Sequence, residues 1–241
     1  MDRLYENPLS RLGGLLPAFN INIHHIHDRS ACITNKQYTF MIKCNVTVCG
    51  LVSRDAILRN GKEGKQFVSI TLQTTLQGKD SQGGSVEISV SMDGTQKEAA
   101  CLRSGMRVKA TGTLVPRHRG DKTYLNLSAD SIVPSGSDET DSLTGELTFR
   151  GKVGKTIDER TDKNGKPFFS FSAFSAEKVN ENFEYLWVRF FCFGKQRETW
   201  LQPGTKIDAK GEMDLSLYNG KPDITCRAEE ITQYVPAPNN N

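Results

Sequence analysis

The sequence predicts an all-β protein that builds one small five-stranded barrel twice. Apolar and polar residues alternate along a series of short stretches, the period-two signature of half-buried strands. A set of glycines and apolar segments returns after roughly one hundred residues, which marks duplicated domains and not a solenoid. Helical periodicity is confined to one short piece of each copy.

From Phe40 to Val52, Ile42, Cys44, Val46, Val48, Gly50 and Val52 fall on one side, with Lys43, Asn45 and Thr47 among the residues opposite. After the charged turn RNGKEGKQ, a second strand sets Val68, Ile70 and Leu72 against Ser69, Thr71 and Gln73. A third sets Val86, Ile88, Val90 and Met92 against Glu87, Ser89, Ser91 and Asp93. QKEAACL suits a short helix. The fourth strand, within RSGMRVKATGTLV, carries Gly112 in its interior, and a basic tip from Pro116 to Lys122 leads into the fifth, TYLNLSADSIV.

Pro134 to Ser142 (PSGSDETDS) holds three acidic residues and no apolar side chain beyond the proline, which marks a linker. The same order of elements then returns. Gly50 answers to Gly151, Gly94 to Gly194, Gly105 and Gly112 to Gly204 and Gly211, and Gly120 to Gly220; Ala129-Asp-Ser-Ile132 answers to Ala228-Glu-Glu-Ile231. The expected organisation is an extension over residues 1–39, a first barrel over 40–133, the linker 134–142, a second barrel over 143–235 and a short tail, 236–241. Five strands, a short helix between the third and fourth, and a glycine inside a bent strand describe an OB-fold barrel in each copy. Paired β-sandwiches need seven strands per copy.

Composition excludes several classes. At 241 residues, 37% hydrophobic and 24% charged, the chain is long enough for two domains, and a net charge of +3 points to no particular partner. Six cysteines occur without a C-x-x-C pair, so a reducing, cytoplasmic setting is expected and no zinc or dithiol motif. No apolar run approaches the roughly 18 to 20 residues of a membrane helix, and LGGLLPAF after Arg11 is too short and lacks the cleavage site of a secretory signal. His24, His25 and His27 have no carboxylate or cysteine at ligand spacing in a second element, so they read as loop residues, and no metal or cofactor is expected. Neither a P-loop, an H-E-x-x-H nor a serine–histidine motif is present, and no enzymatic activity is expected.

One stretch stands out. In YLWVRFFCFGK, from Tyr185 to Lys195, one strand row is Leu186, Val188, Phe190 and Cys192; the other is Trp187, Arg189, Phe191 and Phe193. Such a strand is either buried on both faces or a platform on which unpaired bases stack.

The second copy resembles the bacterial single-stranded DNA-binding protein family. The resemblance lies in LTFRGKVGKTIDER, NGKPFFSFSAFSA, LWVRFFCFGKQRETWLQPGTKIDAKGEM and the closing ITCRAEEI, and covers Leu143 to Tyr234; the first copy follows more loosely from Cys44 to Val133. It implies two OB folds per chain and sequence-independent binding of single-stranded DNA on the outer barrel face. Trp187 and Phe193 match the family's stacking positions on the third strand, with Arg189 between them, and Tyr218 matches another aromatic position. Phe174 joins from the second strand, and Phe191 either meets a base or packs under a neighbouring subunit. Lys152, Lys155, Lys166 and Lys195 are expected at phosphates, and Trp200 in the core side of the second short helix.

In the first copy Glu87 and Asp93 answer to Trp187 and Phe193, and His118 to Tyr218, so that face cannot stack bases in the same way. Yet Lys43 to Val133 carries 13 basic and 8 acidic residues, a net of +5, whereas Leu143 to Tyr234 carries 14 of each. Arg117, Arg119 and Lys122 are therefore expected at phosphates, unless the first copy mainly assembles the oligomer. The resemblance further implies a homodimer with four OB domains and a role in replication, recombination or repair. PAPNNN lacks the family's acidic, phenylalanine-tipped peptide, so recruitment of replication enzymes by that route is not expected. A protein-interaction or assembly module, and a single-stranded RNA binder, are the other readings.

Overall fold

The computed structural model describes residues 41–61, 64–79, 83–179 and 181–235. The extension with its three histidines and the tail 236–241 lie outside the described residues. The first copy forms β1 (Met41–Val52), β2 (Ile57–Asn60), β3 (Gln66–Leu76), β4 (Gly84–Asp93), α1 (Gln96–Cys101), β5 (Arg107–Arg119) and β6 (Lys122–Pro134). The second forms β7 (Ser142–Thr161), β8 (Pro167–Val179), β9 (Asn182–Phe193), β10 (Lys206–Tyr218) and β11 (Lys221–Gln233).

Each copy closes into a barrel by the same pairings. In the first, β1 meets β3, β3 runs antiparallel to β4, β4 parallel to β6, and β6 antiparallel to β5, which returns to β1. In the second, β7, β8, β9, β11 and β10 repeat that circuit, with β9–β11 as the parallel pair. This five-strand circuit with one parallel pair is the OB topology. The predicted apolar rows point inward: Val68, Ile70, Leu72, Ile88 and Val90 in one barrel, and Phe169, Phe171, Val188, Phe190 and Cys192 in the other, are all buried. Phe149 and Phe190 meet edge-to-face at 5.0 Å in the second core, each worth about 1.5–3 kcal/mol through leaving water.

Two of the repeated glycines have one physical cause. Gly112 and Gly211 sit where the fourth strand of each barrel is bulged against the fifth. A Cβ at Gly112 would lie 2.2 Å from the Ser128 carbonyl oxygen, and one at Gly211 2.1 Å from that of Arg227. Only glycine lets the backbones approach this closely.

The copies differ in two elements. In the first, the bend of the opening strand is broken into β1 and β2, whereas β7 runs through it with a bulge between Val153 and Ile157. The second short helix, expected around Trp200, is not formed; residues 194–205 are turns and irregular segments. In α1 the Glu98 carboxylate accepts from the Thr95 backbone N–H at 2.7 Å and from its hydroxyl at 3.0 Å, fixing the N-terminus. In the second copy Lys195 stands in place of Thr95, Thr199 and Trp200 replace Ala99 and Ala100, and the connection between the flanking glycines is one residue shorter. Trp200 is half-buried against the core beside the fully buried Leu201.

The barrels join through β1 and β7, which pair antiparallel from Met41–Arg150 to Cys49–Ser142 and make one 11-stranded sheet. Asn45 pairs with Glu146, its counterpart in the repeat, so the contact is self-complementary about an approximate two-fold. Each barrel leaves that half-strand edge uncovered, and the pairing covers both. The connection 135–141 is held against the first barrel. Asp141 accepts from Arg107 at 2.5 Å and from the Thr75 N–H at 2.8 Å, and Lys109 lies 2.9 Å from Glu139.

Candidate nucleic-acid interface

The outer face of the second barrel is assembled by the β8–β9 ladder. Its register places Phe168 opposite Phe193, Ser170 opposite Phe191, Ser172 opposite Arg189 and Phe174 opposite Trp187. Because inner and outer side chains alternate along a strand, burying Val188, Phe190 and Cys192 obliges Trp187, Arg189 and Phe193 to face outward. Trp187 is 51% exposed and Phe193 47%. Phe174 and Phe191 are half-buried between their neighbours.

The rings form two groups. Phe174 lies 4.9 Å from Trp187 and 5.5 Å, edge-on, from Tyr185. Phe193 stacks on Phe168 at 5.4 Å and on Phe191 at 6.2 Å. Arg189, opposite Ser172, stands between them, and the seven residues from Trp187 to Phe193 span about 20 Å of strand. The row extends beyond Trp187 through Tyr185 and Phe183, which are 46% and 57% exposed. Five aromatic rings and one guanidinium thus line one edge of a single strand.

Three further residues complete the face. Arg227, brought to Phe191 by the parallel β9–β11 pairing, places Cζ 5.7 Å from the Phe193 centroid, within cation–π range. Gly154, in the bulge of β7, lies beneath the indole: a Cβ there would be 3.2 Å from Trp187 Cζ3 and 2.8 Å from the Ser172 carbonyl oxygen. Phe168 is the third. Sequence reasoning did not single out these three, although Phe168 was legible on the outer row with Ser170.

The expected cations divide. Lys152 pairs in register with Phe174 and so flanks the Trp187 end. Lys166 closes the β7–β8 turn, whose Asp162 accepts from the Lys166 and Asn164 N–H groups at 2.8 Å, beside the Phe168 end. Lys155 is exposed in the same bulge as Gly154. Lys195 donates to the Glu229 carbonyl and ties the loop after β9 to β11. Tyr218, 53% exposed, opens the β10–β11 turn, where Asn219 and Gly220 take positive φ. Lys122 is exposed at the β5–β6 turn of the first barrel, while Arg117 and Arg119 hold Glu177 of β8, at 3.1 and 3.4 Å.

The chain is similar to solved single-stranded DNA-binding proteins. Against a deletion mutant of the single-stranded DNA-binding protein from Thermus aquaticus it shows 17% identity over 83% of this chain and 99% of that one, with a TM-score of 0.43. Against the small single-stranded DNA-binding protein from Streptomyces coelicolor it shows 19% identity over 43% of this chain and 99% of that one, at 0.31. For the Plasmodium falciparum protein in complex with single-stranded DNA the figures are 18%, 43%, 100% and 0.29. No protein-family model matches the chain, and no curated protein does.

Beneath the face the thiols are buried. Burial pushes the Cys192 thiol up to about 12, against a smaller opposing pull from Lys195, and burial followed by the neighbouring Cys192 does the same for Cys226. Among the described residues no group of three or more histidine, cysteine or carboxylate side chains is placed to hold a metal, and no helix is long and apolar enough to cross a membrane. The corresponding face of the first barrel is polar: Glu87, Ser89, Ser91 and Asp93 line β4, with Asp93 paired to Lys65.

Proposed function

We propose that the protein binds single-stranded DNA without sequence preference, by stacking bases on the outer face of β8 and β9. The observation that carries this is the outward row Phe183, Tyr185, Trp187, Arg189, Phe191 and Phe193, most of it exposed, on a strand whose opposite row buries Val188, Phe190 and Cys192 in the core. Rings left about half exposed gain only part of their burial free energy from folding, whereas each ring–base stack is worth about 1–3 kcal/mol and accepts any base. Lys152, Lys155 and Lys166 flank the rings and neutralise phosphates, with Lys122 on the first barrel. Tyr218 offers a further ring at its hairpin. The protein acts by binding alone. It protects exposed single strands during replication, recombination or repair in the cytoplasm, and two chains pair to bring four barrels to one strand.

Titration with oligo-dT, oligo-U and duplex DNA while following tryptophan emission tests the reading. Oligo-dT quenches the native protein, duplex does not, and quenching disappears in Trp187→Phe, because Trp200 is the only other tryptophan. Oligo-U binding as tightly as oligo-dT would turn the assignment to RNA. Undiminished binding in Trp187→Ala/Phe193→Ala refutes stacking and favours an assembly module.

A further inference from the structure

The β8–β9 hairpin outruns its barrel. β8 pairs with β7 only as far as Phe174, and β9 with β11 only over Val188–Phe191. Beyond those points the two strands pair with each other, from Ser175–Leu186 to Val179–Asn182. A two-stranded ribbon is marginally stable in water by itself. This one carries Tyr185 and Phe183 on the face that continues the Trp187 row. Glu177 and Glu184, opposite each other in the register, point from the reverse face.

That reverse face meets the β5–β6 turn of the first barrel. Arg117 Nη1 donates to Glu177 Oε1 at 3.1 Å, Arg119 Nη1 donates to Oε2 at 3.4 Å, and the Gly120 N–H faces Glu184 Oε1 at 3.5 Å. The two-fold-related junction is built otherwise. There the Leu217 N–H donates to the Gln77 carbonyl at 3.0 Å, the Lys79 N–H donates to the Leu217 carbonyl at 2.9 Å, Leu217 is buried, and Lys79 pairs with Asp223. One junction is anchored by an isolated backbone bridge; the other depends on charged side chains that remain in contact with water.

We infer that Arg117 and Arg119 are positioning residues: through Glu177 they hold the β8–β9 ribbon against the first barrel and so fix the line along which Tyr185 and Phe183 prolong the stacking row. This rests on the stacking reading of the face. It replaces the expectation that these arginines contact phosphates, since one carboxylate already occupies both guanidinium groups on the side of the ribbon away from the rings. Trp187 to Phe183 covers about 13 Å of strand, so the ribbon matters to a long strand and not to a short one.

The sign of one substitution separates the two roles. Glu177→Lys adds positive charge beside two arginines. If they touch phosphate and Glu177 merely competes, binding tightens and its salt dependence steepens. If they position the ribbon, repulsion releases it, and a long oligo-dT of about 16 nucleotides binds roughly tenfold to a hundredfold more weakly, the worth of one stack, while one of about 4 nucleotides is unaffected. Arg117→Glu/Arg119→Glu/Glu177→Lys restores the pairs with reversed charge, and long-oligonucleotide affinity returns to within about threefold of native. Hydrogen exchange on the protein without DNA supplies the second readout: amides of 175–179 and 182–186 exchange faster in Glu177→Lys and return to native protection in the triple variant. Tighter binding by Glu177→Lys, failed recovery, or unchanged exchange overturns the inference. Absence of any oligo-dT quenching in the native protein refutes the stacking reading instead, and exchange still decides whether the ribbon is docked.

Discussion

Substituting Gly154 by alanine tests the support of the indole without replacing any ring. The added Cβ would lie 2.8 Å from the Ser172 carbonyl oxygen, a fixed backbone atom of the neighbouring strand, and 3.2 Å from Trp187 Cζ3. Ordinary contacts begin near 3.4 Å, so β7 and β8 must part by several tenths of an ångström or the indole must lift. Overpacking of this kind costs about 1–3 kcal/mol, offset by about 0.4–1 kcal/mol because alanine restricts the unfolded chain. The net loss, on the order of 1–2 kcal/mol, lowers Tm by roughly 2–8 °C for a chain of this length. If the indole lifts from its seat against Phe174, one stack is lost in whole or part, and oligo-dT affinity falls by about five- to a hundredfold. Calorimetry and fluorescence titration of the same sample read both numbers. Native Tm, native emission and native affinity together in Gly154→Ala would refute the claim that this glycine seats the ring.

Replacing Lys152, Lys155 and Lys166 together by alanine lowers the slope of log K against log salt by about 2, near 0.7 for each phosphate no longer neutralised; an unchanged slope removes them from the phosphate path. At pH 8 a thiol reagent modifies exposed Cys101 in the native protein and leaves Cys44, Cys192 and Cys226 untouched, because burial pushes all three to about 12; peptide mapping after quenching checks this. Asp141 gives a pH signature. Burial raises its carboxyl, but hydrogen bonds from Arg107 and Thr75 outweigh burial and hold it below the usual range. A carboxyl depressed in the folded state stabilises above its unfolded pKa, and the contribution is lost as pH falls through the folded value. The Tm gap between native protein and Asp141→Asn is therefore open at pH 6 and begins to narrow only below about pH 4, closing as pH falls through the lower folded value; a gap constant with pH refutes the coupling.

Much of the fold was legible because strand alternation and bulge glycines answer to hard sterics. Val188, Phe190 and Cys192 had to be inside once their neighbours were placed outside, and Gly112 and Gly211 repeat because both bulges bring a carbonyl onto the same missing Cβ. What escaped has equally definite causes. The β1–β7 pairing joins edges whose exposed row, Lys43, Asn45 and Thr47, looks like any solvated strand, since backbone pairing leaves no side-chain signature. The second helix was inferred from the repeat, but Lys195 lacks the hydroxyl that Thr95 donates to the Glu98 carboxylate at the start of α1. Arg227 reaches Phe193 only through the parallel β9–β11 contact, and parallel register is invisible in a lone sequence. Arg117 and Arg119 are expected at phosphates from charge alone, and composition does not reveal the Glu177 carboxylate that both of them meet.

Comparison of β4 with β9 separates what the fold requires from what it permits. The inner rows are interchangeable in kind: Val86, Ile88, Val90 and Met92 in one, Leu186, Val188, Phe190 and Cys192 in the other, serving the same circuit of pairings. The outer rows share nothing. Glu87, Ser89, Ser91 and Asp93 stand where Trp187, Arg189, Phe191 and Phe193 stand in the second barrel, and β4 closes its barrel as completely as β9 does. The first copy is thus an internal control showing that this barrel closes without a ring on the outer row of that strand. On the proposed stacking reading these rings are kept for a partner outside the chain, and rings spread over about 20 Å of one strand, with a guanidinium among them, suit a run of successive bases better than a single small ligand.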